Sequence, residues 1–374
     1  MQPRASAKHV ASMKNHFILS AAAGIGLSAA ALYFAFRNVP IEDLLKYLSS
    51  INYLWMIPAV FLVLISFFIR AQRWQFILAS SHKIGIWRAF NPMMIGFMIN
   101  CILPGRLGEF ARPAILQKKD KVPFATGIAT VAAERIFDVA TLVIFAVITL
   151  TAIDINPDAK VIFGDLQLNR ATLEVVFSRI ILMGILLIAA MIAVSIAPIR
   201  RSIQHVIVAL PGLAFFVTES TQKKICAKVC EPFNRFIDNI ALGFTLLKYP
   251  RKILLCAIYS LLVWVIAALS YYVFSLGSPG VVLSYVEMFA VMVIICLFIA
   301  LPSVPGFWGL WEAGGVFAMA LFGIPSDVAA GFTLANHALQ MFPVIIVGLV
   351  SAFMTSVNIW QVSYAKKTIK SQTG

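Results

Sequence analysis

The chain has 374 residues, of which 61% are hydrophobic and only 12% charged, and its 30 Lys+Arg against 16 Asp+Glu give a formal net charge of +14. A soluble chain needs about a quarter of its residues charged to cover its surface, so this composition excludes a soluble globular protein and leaves an all-α polytopic membrane protein. The basic residues fall in short segments between apolar runs, a pattern of membrane topology that excludes a nucleic-acid-binding face.

In chain order, the basic stretch 1–16 (MQPRASAKHVASMKNH) precedes an apolar run at 17–36 that reads as a retained first helix, not a cleaved signal. The amphipathic piece IEDLLKYLSS is expected at the membrane interface. A second span is predicted at 53–72, with Arg70 and Arg73 snorkelling to the near interface. Residues 89–103 are apolar but too short to cross comfortably, and Pro104-Gly105 breaks them. Spans follow at 122–152 and 176–197, then a polar connection at 198–252 and a span at 253–276. The run 287–301 is broken by Pro302 and by Pro305-Gly306, and the last helix is predicted at 333–360, before a basic tail at 361–374. The five cysteines offer no metal-ligand spacing, since Cys226 and Cys230 stand four apart with no histidine or second pair; neither metal nor cofactor is expected.

Charge then sets orientation. The connection 198–252 carries nine basic residues against Glu219, Glu231 and Asp238, which places it in the cytoplasm. The loop 153–175, with Asp154, Asp158, Asp165 and Glu174 against Lys160 and Arg170, is expected outside. Lys83 and Arg88 precede the short segment, and Lys118, Lys119 and Lys121 follow it, so both of its ends face the cytoplasm. Residues 89–116 therefore read as a re-entrant hairpin, and the same reasoning makes 287–325 a hairpin entering from the opposite face. About six full spans remain, which puts both termini in the cytoplasm. The chain reads as one integral domain with two halves, 17–197 and 253–360. LPGRLGE (103–109) parallels VPGFWGLWE (304–312), which suggests an inverted repeat.

Charges gather where the bilayer opposes them. Arg106, Glu109 and Arg112 follow one another at intervals of three, and the next span holds Glu134, Arg135 and Asp138 about a dozen residues beyond Lys121. Glu134 and Asp138, four apart, share a helix face, as do Glu109 and Arg112. Each charge costs at least ~2.5 kcal/mol at the bilayer centre, so lipid exposure is excluded. Two readings stay open: a purely structural ion-pair lock, or a polar cavity whose arginines receive an anionic head group. In the second, the glycine-rich breaks would add backbone N–H groups. Asn100 either satisfies the broken backbone or meets a ligand. Trp308 and Trp311 are expected in an aromatic belt at the outer interface, with ligand stacking as the alternative. Glu312 follows the second glycine-rich turn. His337, expected near the start of the last helix, serves either a polar pocket or plain hydrogen bonding.

The pattern N-x-x-x-P-x-R-x-G-E-x-x-R, followed by E-R-x-x-D, resembles the lysylphosphatidylglycerol synthase transmembrane-region family, flippase-like proteins related to the membrane half of multiple peptide resistance factors. The later P-G-x-x-G-x-x-E and a last helix with Pro343 and Gly348 extend the resemblance over about 17–360. It carries Asn100, Pro104, Arg106, Gly108, Glu109, Arg112, Glu134, Arg135, Asp138, Pro305, Gly306, Gly309 and Glu312 over as matching positions, with Gly105 beside them at the first turn. One departure is Asn336-His337, where the family commonly has Tyr-Arg.

The resemblance implies lipid handling in an inner membrane, with a phospholipid or polyprenyl-phosphate lipid as partner. The leading expectation is a translocase that moves an anionic or polyprenyl-linked head group. The alternatives are a membrane-embedded transferase using Glu109, Glu134 or Asp138 as base, and an accessory subunit of a separately encoded lipid-modifying enzyme. Homo-oligomers stay open. The chain ends at Gly374, so the soluble lysyl-transferring domain is not expected.

Overall fold

A computed structural model describes residues 25–37, 39–79, 81–103, 106–152, 161–163, 166–168, 196–209, 226–231, 250–300 and 304–356, with scattered positions between 178 and 238. The termini 1–16 and 361–374, most of the predicted span 176–197, and Pro104-Gly105 lie outside these residues.

The described chain is α-helical apart from one small antiparallel hairpin. Helix α1 covers Ile25–Phe36, and α2 (Ile41–Ser50) carries Glu42 and Asp43 in its first turn, where the helix dipole favours acids. Next come α3 (Met56–Leu78), α4 (Ile86–Ile102), α5 (Gly108–Asp120) and α6 (Phe124–Ala152). Strands β1 (Val161–Phe163) and β2 (Leu166–Leu168) pair in the acidic loop, followed by the basic helix α7 (Ala197–Ala209). The second half contains α8 (Pro250–Ser275), α9 (Tyr285–Ile299), a short 3-10 turn at Pro305–Phe307, α10 (Leu310–Ala320) and α11 (Ser326–Met354).

Among the described residues three helices are long and apolar enough to cross a membrane: Tyr53–Leu78, Pro250–Ser275 and Ser326–Met354. Helix α6 is as long as the last of these but holds three charges near its middle. The chain is an all-α integral membrane protein.

Two helix ends moved from their expected places, with consequences. Helix α3 runs to Leu78 instead of ending near 72, because Trp74, Ile77 and Leu78 continue its buried face. Arg70 and Arg73 therefore lie inside the helix, not at its mouth. Helix α11 begins at Ser326, not 333, with Asp327 in its first turn. His337 is thus eleven residues in, about 16 Å along the axis at 1.5 Å per residue.

The core forms around α8, α9, α10 and α11, with Trp264, Phe274, Phe317 and Phe332 buried in one cluster that also takes in Ala31 and Ala35 of α1 and Tyr47 of α2. Helices α4 and α5 pack on each other, as do α9 and α10, and α4 also lies along α11. The arms have 17, 13, 15 and 11 residues. At 1.5 Å per residue none reaches the ~30 Å hydrocarbon thickness. Glycine makes the first crossing this close: a Cβ at Gly108 would collide with the Gly96 carbonyl oxygen, and one at Gly96 would meet the Arg112 stem at 2.5 Å.

Candidate functional site

Most of the predicted charges converge on α6. Glu134 and Asp138, one turn apart, point into the seam between α3 and α5. From α5, Arg112 Nη2 donates to Glu134 Oε2 at 2.6 Å, both side chains being buried. Its guanidinium also stands 4.1 Å from the Trp74 ring centroid, and the Trp74 indole donates to Thr130 at 3.1 Å. Arg135 reaches Glu134 at 3.1 Å and Asp138 at 3.3 Å, with Glu109 at 3.9 Å. Helical spacing puts Glu134 with Asp138 and Glu109 with Arg112, and the packing of α5 on α6 brings the two sets together.

Two further arginines, expected at the interface, join this cluster from α3. Arg73 is fully buried, 2.7 Å from Asp138 Oδ1 and 3.4 Å from Glu134, and it donates to Ser260 of α8 at 2.6 Å. Arg70 lies 3.4 Å from Asp138 and beside the rings of Phe67, Phe97 and Trp264. Both turn inward instead of snorkelling, because two buried carboxylates facing α3 offer more than the interface does. Their three-residue spacing matched the four-residue spacing of Glu134 and Asp138, but nothing within one helix announced that the two faces meet.

These additions change the charge balance. Four guanidinium groups (Arg70, Arg73, Arg112, Arg135) surround three carboxylates (Glu109, Glu134, Asp138), which leaves one net positive charge. The inner members are sealed, whereas the Arg135 side chain is 30% exposed and that of Glu109 25%. The site therefore opens on the side of Arg135 and Glu109.

Arg106 does not join the inner cluster. Its backbone takes a left-handed φ of 51°. Its guanidinium donates to the Ile299 carbonyl at 2.9 Å and lies 5.7 Å from the Phe307 ring. Ile299 ends α9 and Phe307 belongs to the following turn, so Arg106 links the tips of the two hairpins from an exposed position. Asn100 meets the simpler expectation: its Oδ1 accepts from Gly108 N at 2.8 Å. Glu109, Phe110 and Ala111 N–H groups bond to the Arg106 and Leu107 carbonyls. The opening amides of α5, from Gly108 to Ala111, are thus taken within the protein.

The second turn is built differently. Gly306 and Gly309 have φ of 70° and 89°, values that favour glycine. Pro305 opens the 3-10 turn between Val304 and Trp308. The Gly309 N–H donates to Glu312 Oε2 at 2.7 Å. Glu312 Oε1 is 2.6 Å from His337 Nδ1, and His337 Nε2 is 2.8 Å from the Gly306 carbonyl. Trp311 stacks on the His337 ring, centroids 4.5 Å apart and planes at 4°, and Trp308 lies at 4.4 Å. The two tryptophans therefore pack around a buried histidine of α11. Asn336 is buried beside it, with Tyr271 as polar neighbour.

The predicted residues thus divide into two sites. Glu109, Arg112, Glu134, Arg135 and Asp138 form one; Gly306, Gly309, Glu312 and His337 form the other; Arg106 and Cys101 adjoin the second turn from the first hairpin. Among the described residues no group of three or more His, Cys, Asp or Glu side chains is placed to hold a metal ion. Comparison with curated proteins and with solved structures returns no match. A family model described as the lysylphosphatidylglycerol synthase TM region matches residues 21–348, nearly the whole chain, and the protein belongs to that family.

Proposed function

We propose that the protein is a lipid translocase whose charged cluster receives the anionic head group of a phospholipid or polyprenyl-phosphate lipid, while the acyl chains stay in the bilayer. The observation that carries this reading is the unbalanced charge. Four arginines around three carboxylates are more than a structural lock requires, and the most exposed member is the Arg135 guanidinium, at 30% against 25% for Glu109, a group of the type that binds phosphate. Family membership supports a role in lipid modification or translocation. The short hairpin arms support re-entrant segments, related as an inverted repeat, that meet within the membrane. In this reading Arg106 and Arg135 are the head-group contacts, Arg112, Glu134 and Asp138 hold Arg135 in place, the Ile299 carbonyl holds Arg106, and both termini face the cytoplasm of an inner membrane.

The test uses purified protein in liposomes with a trace of head-group-labelled lipid, either anionic phosphatidylglycerol or zwitterionic phosphatidylcholine. Transbilayer movement is read by chemical quenching of the outer leaflet. Faster movement of the anionic lipid, lost in Arg135→Gln and in Arg106→Gln while both variants stay folded, is the expected result. No acceleration of any anionic lipid by folded protein would refute it. A lipid product of altered mass would instead favour a transferase.

A further inference from the structure

The Glu312–His337 pair plays no part in the reading above, yet its geometry fixes a proton count. His337 Nε2 faces the Gly306 carbonyl at 2.8 Å, and a carbonyl only accepts, so Nε2 carries hydrogen. His337 Nδ1 is 2.6 Å from Glu312 Oε1. A bare imidazole nitrogen and an ionised carboxylate are both acceptors, so that contact holds one proton. Imidazolium with carboxylate, or imidazole with carboxylic acid, each give a neutral pair, which suits side chains exposed by only 1% and 0%. Without the proton, a buried negative charge would face a lone pair, and the contact would break.

What the contact holds is the turn itself. His337, on α11, grips Gly306 by its carbonyl, and through Glu312 it grips the Gly309 N–H. These are the two left-handed glycines of the turn. The same turn carries Phe307 beneath Arg106, and a Cβ on Gly306 would stand 3.2 Å from the Cys101 carbonyl of the first hairpin. Val304 N donates to Ser28 Oγ of α1 at 3.3 Å. One proton therefore secures a turn against which the first hairpin and α1 rest.

The groups facing the pair come from every element packed around it. From the turn and α10 come Trp308 and Trp311, whose π-faces suit an imidazolium. Beyond Trp311 stand the Tyr271 phenol of α8, at 6.4 Å between rings, and the Cys296 thiol of α9. From α11 comes the neutral Asn336. From the first hairpin, Arg106 lies over the Phe307 ring of the turn.

We propose that Glu312 and His337 form a proton-binding site that takes up and releases one proton, and that release frees the 304–309 turn from the last helix. The test is a titration of the purified full-length protein from about pH 5 to about pH 10, bracketing the ordinary histidine range. Tryptophan fluorescence reads proton binding, because imidazolium and imidazole quench a stacked indole differently. Hydrogen exchange of the peptide spanning 304–312, corrected for the intrinsic effect of pH, reads the turn. The expected result is a one-proton fluorescence transition, absent in His337→Arg and in the double change Trp308→Phe/Trp311→Phe. Exchange should rise by about tenfold across the same pH range. Where a variant fails to fold, the infrared carboxyl band of the native protein, followed over the same pH values, supplies the assignment. A flat fluorescence trace with flat exchange overturns the proposal, as does a transition that survives in folded His337→Arg. Fluorescence that moves without any change in exchange overturns the release of the turn. Lipid movement is not measured in this experiment, so a failed translocase reading and a failed proton site are told apart.

Discussion

The contact between Arg112 and Glu134 gives the sharpest prediction, because the surrounding charges fix a direction as well as a size. Arg112→Met removes the guanidinium and retains most of the stem that fills the space beside Gly96. Breaking a buried pair by removing one partner costs about 3–5 kcal/mol. Here Glu134 keeps Arg135 at 3.1 Å and Arg73 at 3.4 Å, so we expect the low end, about 3 kcal/mol. That corresponds to roughly a 150-fold shift toward the unfolded state. Glu134→Gln removes a charge of the scarcer sign. Three guanidinium groups would then face a neutral amide, and the cluster would rise from one net positive charge to two. The cost should reach about 5 kcal/mol. The double variant should be less harmful than the sum of the singles by about 2 kcal/mol, the coupling expected of side chains in direct contact. Reversible unfolding in mixed micelles, with SDS as denaturant, provides the measurement. Costs that add without coupling, or Arg112→Met proving worse than Glu134→Gln, would refute the account of a cation-rich buried cluster.

Other consequences follow from the same geometry. Arg73→Gln should destabilise more than Arg70→Gln, by about 3–5 against 1–2 kcal/mol in the same unfolding assay, because Asp138 keeps its 2.7 Å partner only in the second variant. Gly108→Ala should cost about 1–3 kcal/mol by forcing α4 and α5 apart. Asn100→Ala should cost about 1–2 kcal/mol by orphaning the Gly108 N–H; a Gly108→Ala protein as stable as the parent in thermal unfolding would count against the close crossing. For the proposed topology, cysteines placed at Lys83 and Lys118 should react with an impermeant maleimide only from the cytoplasmic face, and one at Gln167 only from the other. Labelling of Lys83 and Lys118 from opposite faces would rule out the re-entrant hairpin.

The sequence alone determined the solvent and the class of fold. A chain with so few charges can fold only in lipid, where the backbone must satisfy its own hydrogen bonds within helices. It also located the two breaks, the carboxylate stripe of Glu134 and Asp138 and the arginine three residues beyond Glu109, because helical spacing decides which side chains share a face. Spacing within one helix says nothing about which other helix looks back at that face. Arg70 and Arg73 therefore read as interfacial until the packing of α3 against α6 turned them inward and made the cluster cationic. Likewise, the pairing of His337 with Glu312, 25 residues apart, required α11 to begin early and lie against α10. Local chemistry marked the candidates, and only the tertiary structure decided their partners, because desolvation inside the bundle rewards whichever opposite charge comes within reach.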